Sequence, residues 1–172
     1  GQVLSALAAL VSIRIITEVL PPAEFGHLTL LLGAGSLALG LAVTPQLQAV
    51  IRYYPEWYGK GKASLLRLTA VRLLSFRVTA AAAVLAGGWG LYAMFTGQAW
   101  WAGFLLAALL VVDAVRSFEL ALLNAARRQR SSAIIQAADG WARPLLAILA
   151  VLLFGQNAEV VLVGYVVGSL LV

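Results

Sequence analysis

Cysteine is absent from this chain of 172 residues, only 11% of its residues are charged, and it holds a single histidine and a single methionine. Without a thiol there is no disulfide framework and no thiolate chemistry. The lone histidine, His27, lies beside Phe25 and Gly26. One histidine with no clustered carboxylates is too few ligands for a metal, so the expected position of His27 is a solvated loop. Glycine-rich phosphate loops, paired metal ligands, a serine with a neighbouring base and a histidine within a helix are all expected to be missing. Neither catalysis nor a cofactor nor a metal is therefore expected.

The scarcity of charge also argues against a water-soluble fold. Soluble domains are about 45–50% apolar and about 25% charged, whereas this chain is 62% hydrophobic with a mean hydropathy of +0.94. A domain of this length has too little interior to hide that much apolar surface, so lipid must be its solvent. A β-barrel would alternate apolar and polar residues along each strand. The apolar runs here are long and unbroken, which leaves helices. The net charge of +5 does not point to nucleic acid, because the basic residues gather in two short segments between apolar runs.

Spanning helices need about 20 apolar residues, and six segments qualify, at about 3–20, 28–51, 73–95, 101–123, 133–154 and 160–172. Pro21 and Pro22 stop the first. The second holds Pro45, which should kink it, and is expected to close at Arg52-Tyr53-Tyr54-Pro55. Short links make the segments three consecutive antiparallel hairpins, an all-α integral membrane fold. The chain begins at Gly1 and ends inside an apolar run, so a longer natural protein is expected.

Basic residues fix the expected topology. Arg52, Lys60, Lys62, Arg67, Arg72 and Arg77 follow the second segment, and Arg127, Arg128 and Arg130 follow the fourth. The links after segments one, three and five hold none, which places the even-numbered links and the amino terminus in the cytoplasm. Tyr53, Tyr54, Trp57 and Tyr58 at one face and Trp100 and Trp101 at the other read as aromatic belts. Arg67, Arg72 and Arg77 read as an interfacial anchor along one side of a helix, resting on anionic lipid. Ser36 and Gly40, Ala83 and Gly87, and Gly164 and Gly168 have the small-xxx-small spacing that permits close helix approach.

Function is sought among ionisable groups at membrane depth, since each costs roughly 2.5–3.5 kcal/mol to insert at a helix centre. Arg14 and Glu18 are four apart and can pair; Asp113, Arg116 and Glu119 form a stripe at three-residue steps; Asp139 and Arg143 repeat the four-residue spacing beside Pro144. Thr44, Gln46 and Gln48 add neutral polar groups to the second segment. One reading is that the charges pair internally and orient the helices. The other is that they line a shared hydrated cavity, with Arg14, Arg116 and Arg143 as a cationic wall for phosphate or carboxylate and Glu18, Asp113, Glu119 and Asp139 positioning them or carrying a coupling proton or cation.

The residues at 14–26, R-I-I-T-E-V-L-P-P-A-E-F-G, resemble the first helix and outer loop of the polysaccharide flippases of the multidrug/oligosaccharidyl-lipid/polysaccharide exporter superfamily. The stretches A-V-I-R-Y-Y-P-E, ending at residue 56, N-A-A-R-R-Q-R-S-S-A at 124–133, R-P-L-L-A at 143–147 and V-L-V-G-Y-V-V-G at 161–168 are similar to later helices of that family, in the same order. The resemblance implies one six-helix bundle of a two-bundle exporter in the inner membrane, its second bundle lying in a carboxy-terminal part outside this chain. It further implies a lipid-linked oligosaccharide as substrate, flipped for polysaccharide biosynthesis of the O-antigen or lipopolysaccharide kind. Arg14 matches the family's lumenal arginine, with Arg116 and Arg143 as additions. Two other readings remain open: a membrane subunit of a glycan synthase, and a structural membrane subunit with paired charges.

Overall fold

The computed structural model describes the backbone of residues 2–171 and the side chains of residue 7 and residues 10–171. Val172, the end of the sixth expected segment, lies outside the described residues. Among those residues the chain is all helix: α1 (Gln2–Val19), α2 (Pro22–Ala42), α3 (Thr44–Gly59), α4 (Ala63–Thr96), α5 (Ala102–Ala125), α6 (Gln129–Phe154) and α7 (Ala158–Leu171). Three stretches, Pro22–Gly59, Ala63–Thr96 and Gln129–Phe154, are long and apolar enough to cross a membrane. Their apolar side chains face outward: only 11% of the most apolar window of α4 is buried, and Leu41, Phe76, Val84, Met94 and Phe95 are each more than 70% exposed. Side chains of this kind are stable on a surface only against lipid or another apolar partner. The fold is all-helical and compatible with a membrane protein.

The second expected segment is two helices. Pro45 has no N–H to donate to the carbonyl of Leu41, and the break falls at Val43, where the backbone turns to φ −108° and ψ −48°. Beyond the break α3 runs through Pro55, which sits inside the helix and does not end it. The helix stops at Gly59, and α4 begins already at Ala63, so the long link expected between segments two and three shrinks to residues 60–62. With 34 residues, α4 is about 51 Å long, well beyond the roughly 30 Å of a hydrocarbon core. The helix is thus longer than one crossing of that core requires.

Arg67, Arg72 and Arg77 all lie on α4, but they do not share a side, because a five-residue step turns the helix by about 140°. Arg67 reaches α5, while Arg72 and Arg77 are exposed.

The centre of the bundle is α5, whose buried positions Ala102, Gly103, Leu106, Leu109, Leu110, Ala114, Phe118 and Ala121 recur at three- and four-residue steps. It packs against α2, α3, α4, α6 and α7. Antiparallel pairs form between α4 and α5 and between α6 and α7, as the short links require. The first expected hairpin differs: α1 barely touches α2 and lies mainly along α6, where Ile16 and Leu20 pack with Ala147 and Val151.

Two contacts near the α1–α2 link were not foreseen. His27 is a residue of α2, not of a loop; it is half-buried, and its ring stacks on Trp89 of α4 at 5.2 Å. Trp89 in turn donates from Nε1 to the carbonyl of Ala99, tying α4 to its link with α5. Glu24, in the first turn of α2, accepts a hydrogen bond at 2.9 Å from the backbone N–H of Ala158, the first residue of α7. A carboxylate there satisfies an otherwise unpaired donor and opposes the positive end of the helix dipole. Glu24→Ala is expected to lower stability by about 1 kcal/mol, measured by thermal unfolding in detergent; Glu24→Asp, with a shorter arm, should recover little.

Candidate functional site

Four of the seven ionisable side chains singled out above meet between α5 and α6. Asp113 and Arg116 stand one turn apart on α5, and Asp139 and Arg143 one turn apart on α6. Because α5 and α6 face each other at this level, each arginine reaches both aspartates. Arg143 donates from Nε to Asp139 Oδ1 at 2.8 Å and from its Nη atoms to both carboxylate oxygens of Asp113, the longer of these contacts at 3.4 Å. Arg116 donates to Asp139 and, at 3.3 Å, to Asp113. All four side chains are only 16–20% exposed.

The quartet carries two positive and two negative charges, so its net charge is zero. That neutrality is what permits burial: a lone charge at this depth would carry its full desolvation cost, whereas each guanidinium here exchanges water for carboxylate oxygens. Gly168 of α7 supports the arrangement from behind, since a Cβ built on it would stand 2.8 Å from the Cα of Arg143. Glycine is needed there for α7 to approach the backbone that carries the arginine. Pro144 follows Arg143 inside α6 and removes a backbone bond there.

A cavity of about 240 Å³ opens beside the quartet. Leu32, Gly35, Ser36 and Leu39 of α2 form one wall, leucines of α5 another, and Asp113, Arg143 and Tyr165 supply its polar groups. Tyr165 was not singled out in the sequence, and Ser36 only for its small-xxx-small spacing with Gly40; their place at the cavity is set by α7 and α2.

Arg14, Glu18 and Glu119 are not part of this cluster. Arg14 and Glu18 pair with each other on α1 at 2.7 Å, and their side chains are 79% and 60% exposed. Glu119 binds Arg67 of α4 at 2.6 Å. Two steps of three residues beyond Asp113 turn the helix by about 120°, enough to swing Glu119 from α6 toward α4. The three arginines thus do not form one wall: two are joined, and the third stands on a separate open face. Both amide atoms of Gln46, just past the α2–α3 break, are buried without a hydrogen-bond partner.

Among the described residues no group of three or more histidine or carboxylate side chains is placed to hold a metal. The site is a paired, neutral ionic cluster bordered by a small cavity. No family model matches this chain, and no significant similarity to a curated protein or a solved structure was found, which leaves these side chains and their geometry to carry the functional reading.

Proposed function

We propose that this chain is one bundle of a membrane transporter that flips lipid-diphosphate-linked oligosaccharides by alternating access. The observation that carries the reading is the buried Asp113–Arg116–Asp139–Arg143 quartet beside a cavity. Ionisable groups at membrane depth are expensive and mark transport pathways more often than they serve as struts. In this reading Asp113 and Asp139 hold the two guanidiniums while the site is empty, and a substrate diphosphate, or a proton arriving on an aspartate, displaces one carboxylate and frees an arginine. The exposed Arg14–Glu18 pair on α1 supports a second bundle facing this one, because such a pair is better placed against a wet lumen than against lipid. Glu119, held by Arg67, would act outside the lumen.

The proposed setting is the inner membrane, with six spans, of which α4 with α5 and α6 with α7 form hairpins and α2 with α3 forms one broken span, and the amino terminus is cytoplasmic. Support for the orientation comes from the arginines and lysines gathered at residues 52–77 and 127–130.

A structural role is favoured by one observation: each of the two guanidiniums donates to both aspartates. Neutralising the quartet as a whole separates the two readings. The fourfold variant Asp113→Asn, Arg116→Gln, Asp139→Asn, Arg143→Gln keeps shape and removes charge. As a transporter, the full-length protein carrying it should reach the membrane at normal abundance and lose export; retained export would sink the proposal. Hydration of the cavity is tested independently by Ser36→Cys, which a water-soluble maleimide should label; the absence of native cysteine removes any background.

A further inference from the structure

A second and larger cavity, about 760 Å³, lies at the end of the bundle where α3 finishes, α4 starts and α5 finishes. Three arginines, Arg67, Arg127 and Arg128, line it against one carboxylate, Glu119. We propose that this cavity holds the phosphate headgroup of an anionic membrane lipid. The inference rests on the chain being a membrane protein and not on the transport reading.

Three features point to that ligand. The first is the turn after α5. Arg127 has φ 57°, and its N–H and that of Arg128 return to the carbonyls of Asn124 and Leu123 at 3.0 and 2.9 Å, closing the helix. This left-handed position is ordinarily filled by glycine or asparagine, and a long side chain there is unfavourable. Arginine at a site where glycine folds more easily indicates a requirement other than folding. The turn sets two consecutive guanidiniums on the rim, and guanidinium matches phosphate oxygens in a bidentate manner.

The second feature is the wall. Tyr54 and Tyr58 stack at 5.8 Å, and tyrosine is the residue that tolerates the boundary between headgroup and hydrocarbon. Beside the arginines the lining also holds the apolar side chains of Leu122 and Leu123. A free phosphate would use the rim alone, whereas an amphiphile uses both parts. The third feature is position: the cavity lies at the end of the bundle where the basic residues gather, at 52–77 and 127–130, as a site for lipid phosphates requires. The Arg67–Glu119 pair joins α4 to α5 across 52 residues of sequence at the cavity wall.

The test is titration of the detergent-solubilised chain with dioctanoyl phosphatidylglycerol, dioctanoyl phosphatidylcholine and inorganic phosphate, following tryptophan fluorescence. Saturable binding of the phosphatidylglycerol is expected, with weaker binding of the zwitterionic lipid. The double variant Arg127→Gln, Arg128→Gln should weaken it roughly thirtyfold. Because both side chains are exposed, the fold should survive, as its unfolding temperature will show. Arg72→Gln with Arg77→Gln, outside the cavity, should leave binding unchanged. Equal binding of inorganic phosphate, equal loss in the two double variants, or no loss in the first would each overturn the proposal.

Discussion

Replacing Asp113 by asparagine is expected to destabilise the chain by roughly 3 kcal/mol, the lower part of the range for breaking a buried ion pair from one side. Asp113 accepts from Arg116 and from Arg143, and both arginines already share Asp139 Oδ1. Without the Asp113 carboxylate, two guanidiniums compete for one aspartate, and a net positive charge is left in surroundings that are four-fifths buried. Adding Arg143→Gln restores neutrality. The double variant should therefore be more stable than the sum of the two single changes, by 1 kcal/mol or more on the scale on which contacting pairs couple. Unfolding in detergent by tryptophan fluorescence measures all three. Strict additivity, or an Asp113→Asn variant as stable as the parent, would mean that the quartet does not form.

Gly164→Ala is the second large effect, with an expected loss of about 1–3 kcal/mol from overpacking. A Cβ at this position would stand 2.5 Å from the Cα of Ala147 and 2.8 Å from the carbonyl oxygen of Leu146. Both are backbone atoms that no rotamer change can move, so α7 must separate from α6. Gly168→Ala should act in the same way through the Cα of Arg143, and there the displacement also pulls the arginine from its aspartates. The contrast is Gly87→Ala. Nothing lies within 4 Å of a Cβ at Gly87, so alanine should raise stability by up to about 1 kcal/mol through helix propensity alone. If Gly164→Ala and Gly87→Ala behaved alike, close packing of α6 on α7 would be disproved.

These glycines show where reading along the chain stops. Gly87 and Gly164 sit in the same small-xxx-small spacing, yet only the second meets a neighbouring backbone. Spacing describes one helix, whereas close approach depends on which helix lies opposite and at what height. The charged residues divide along the same line. Arg14 with Glu18 and Asp139 with Arg143 were legible as pairs because four residues close one turn. The link from Arg116 to Asp139 and that from Arg67 to Glu119 join residues 23 and 52 positions apart, and no local pattern contains them.

Helical content and the long apolar stretches that suggest a membrane protein were legible in residue counts and run lengths, because transfer into lipid sums over residues without regard to their arrangement, and because lipid admits no unpaired backbone. The proline-driven break near Val43 was legible for a similarly local reason, the loss of one hydrogen bond within a turn. Which helices became neighbours, that α1 lies mainly on α6 and hardly on α2, and that two of the three arginines share a neutral cluster while the third pairs with Glu18 on a separate face, were decided by packing. Packing depends on distances between residues far apart in the chain, and those distances exist only once the helices have assembled.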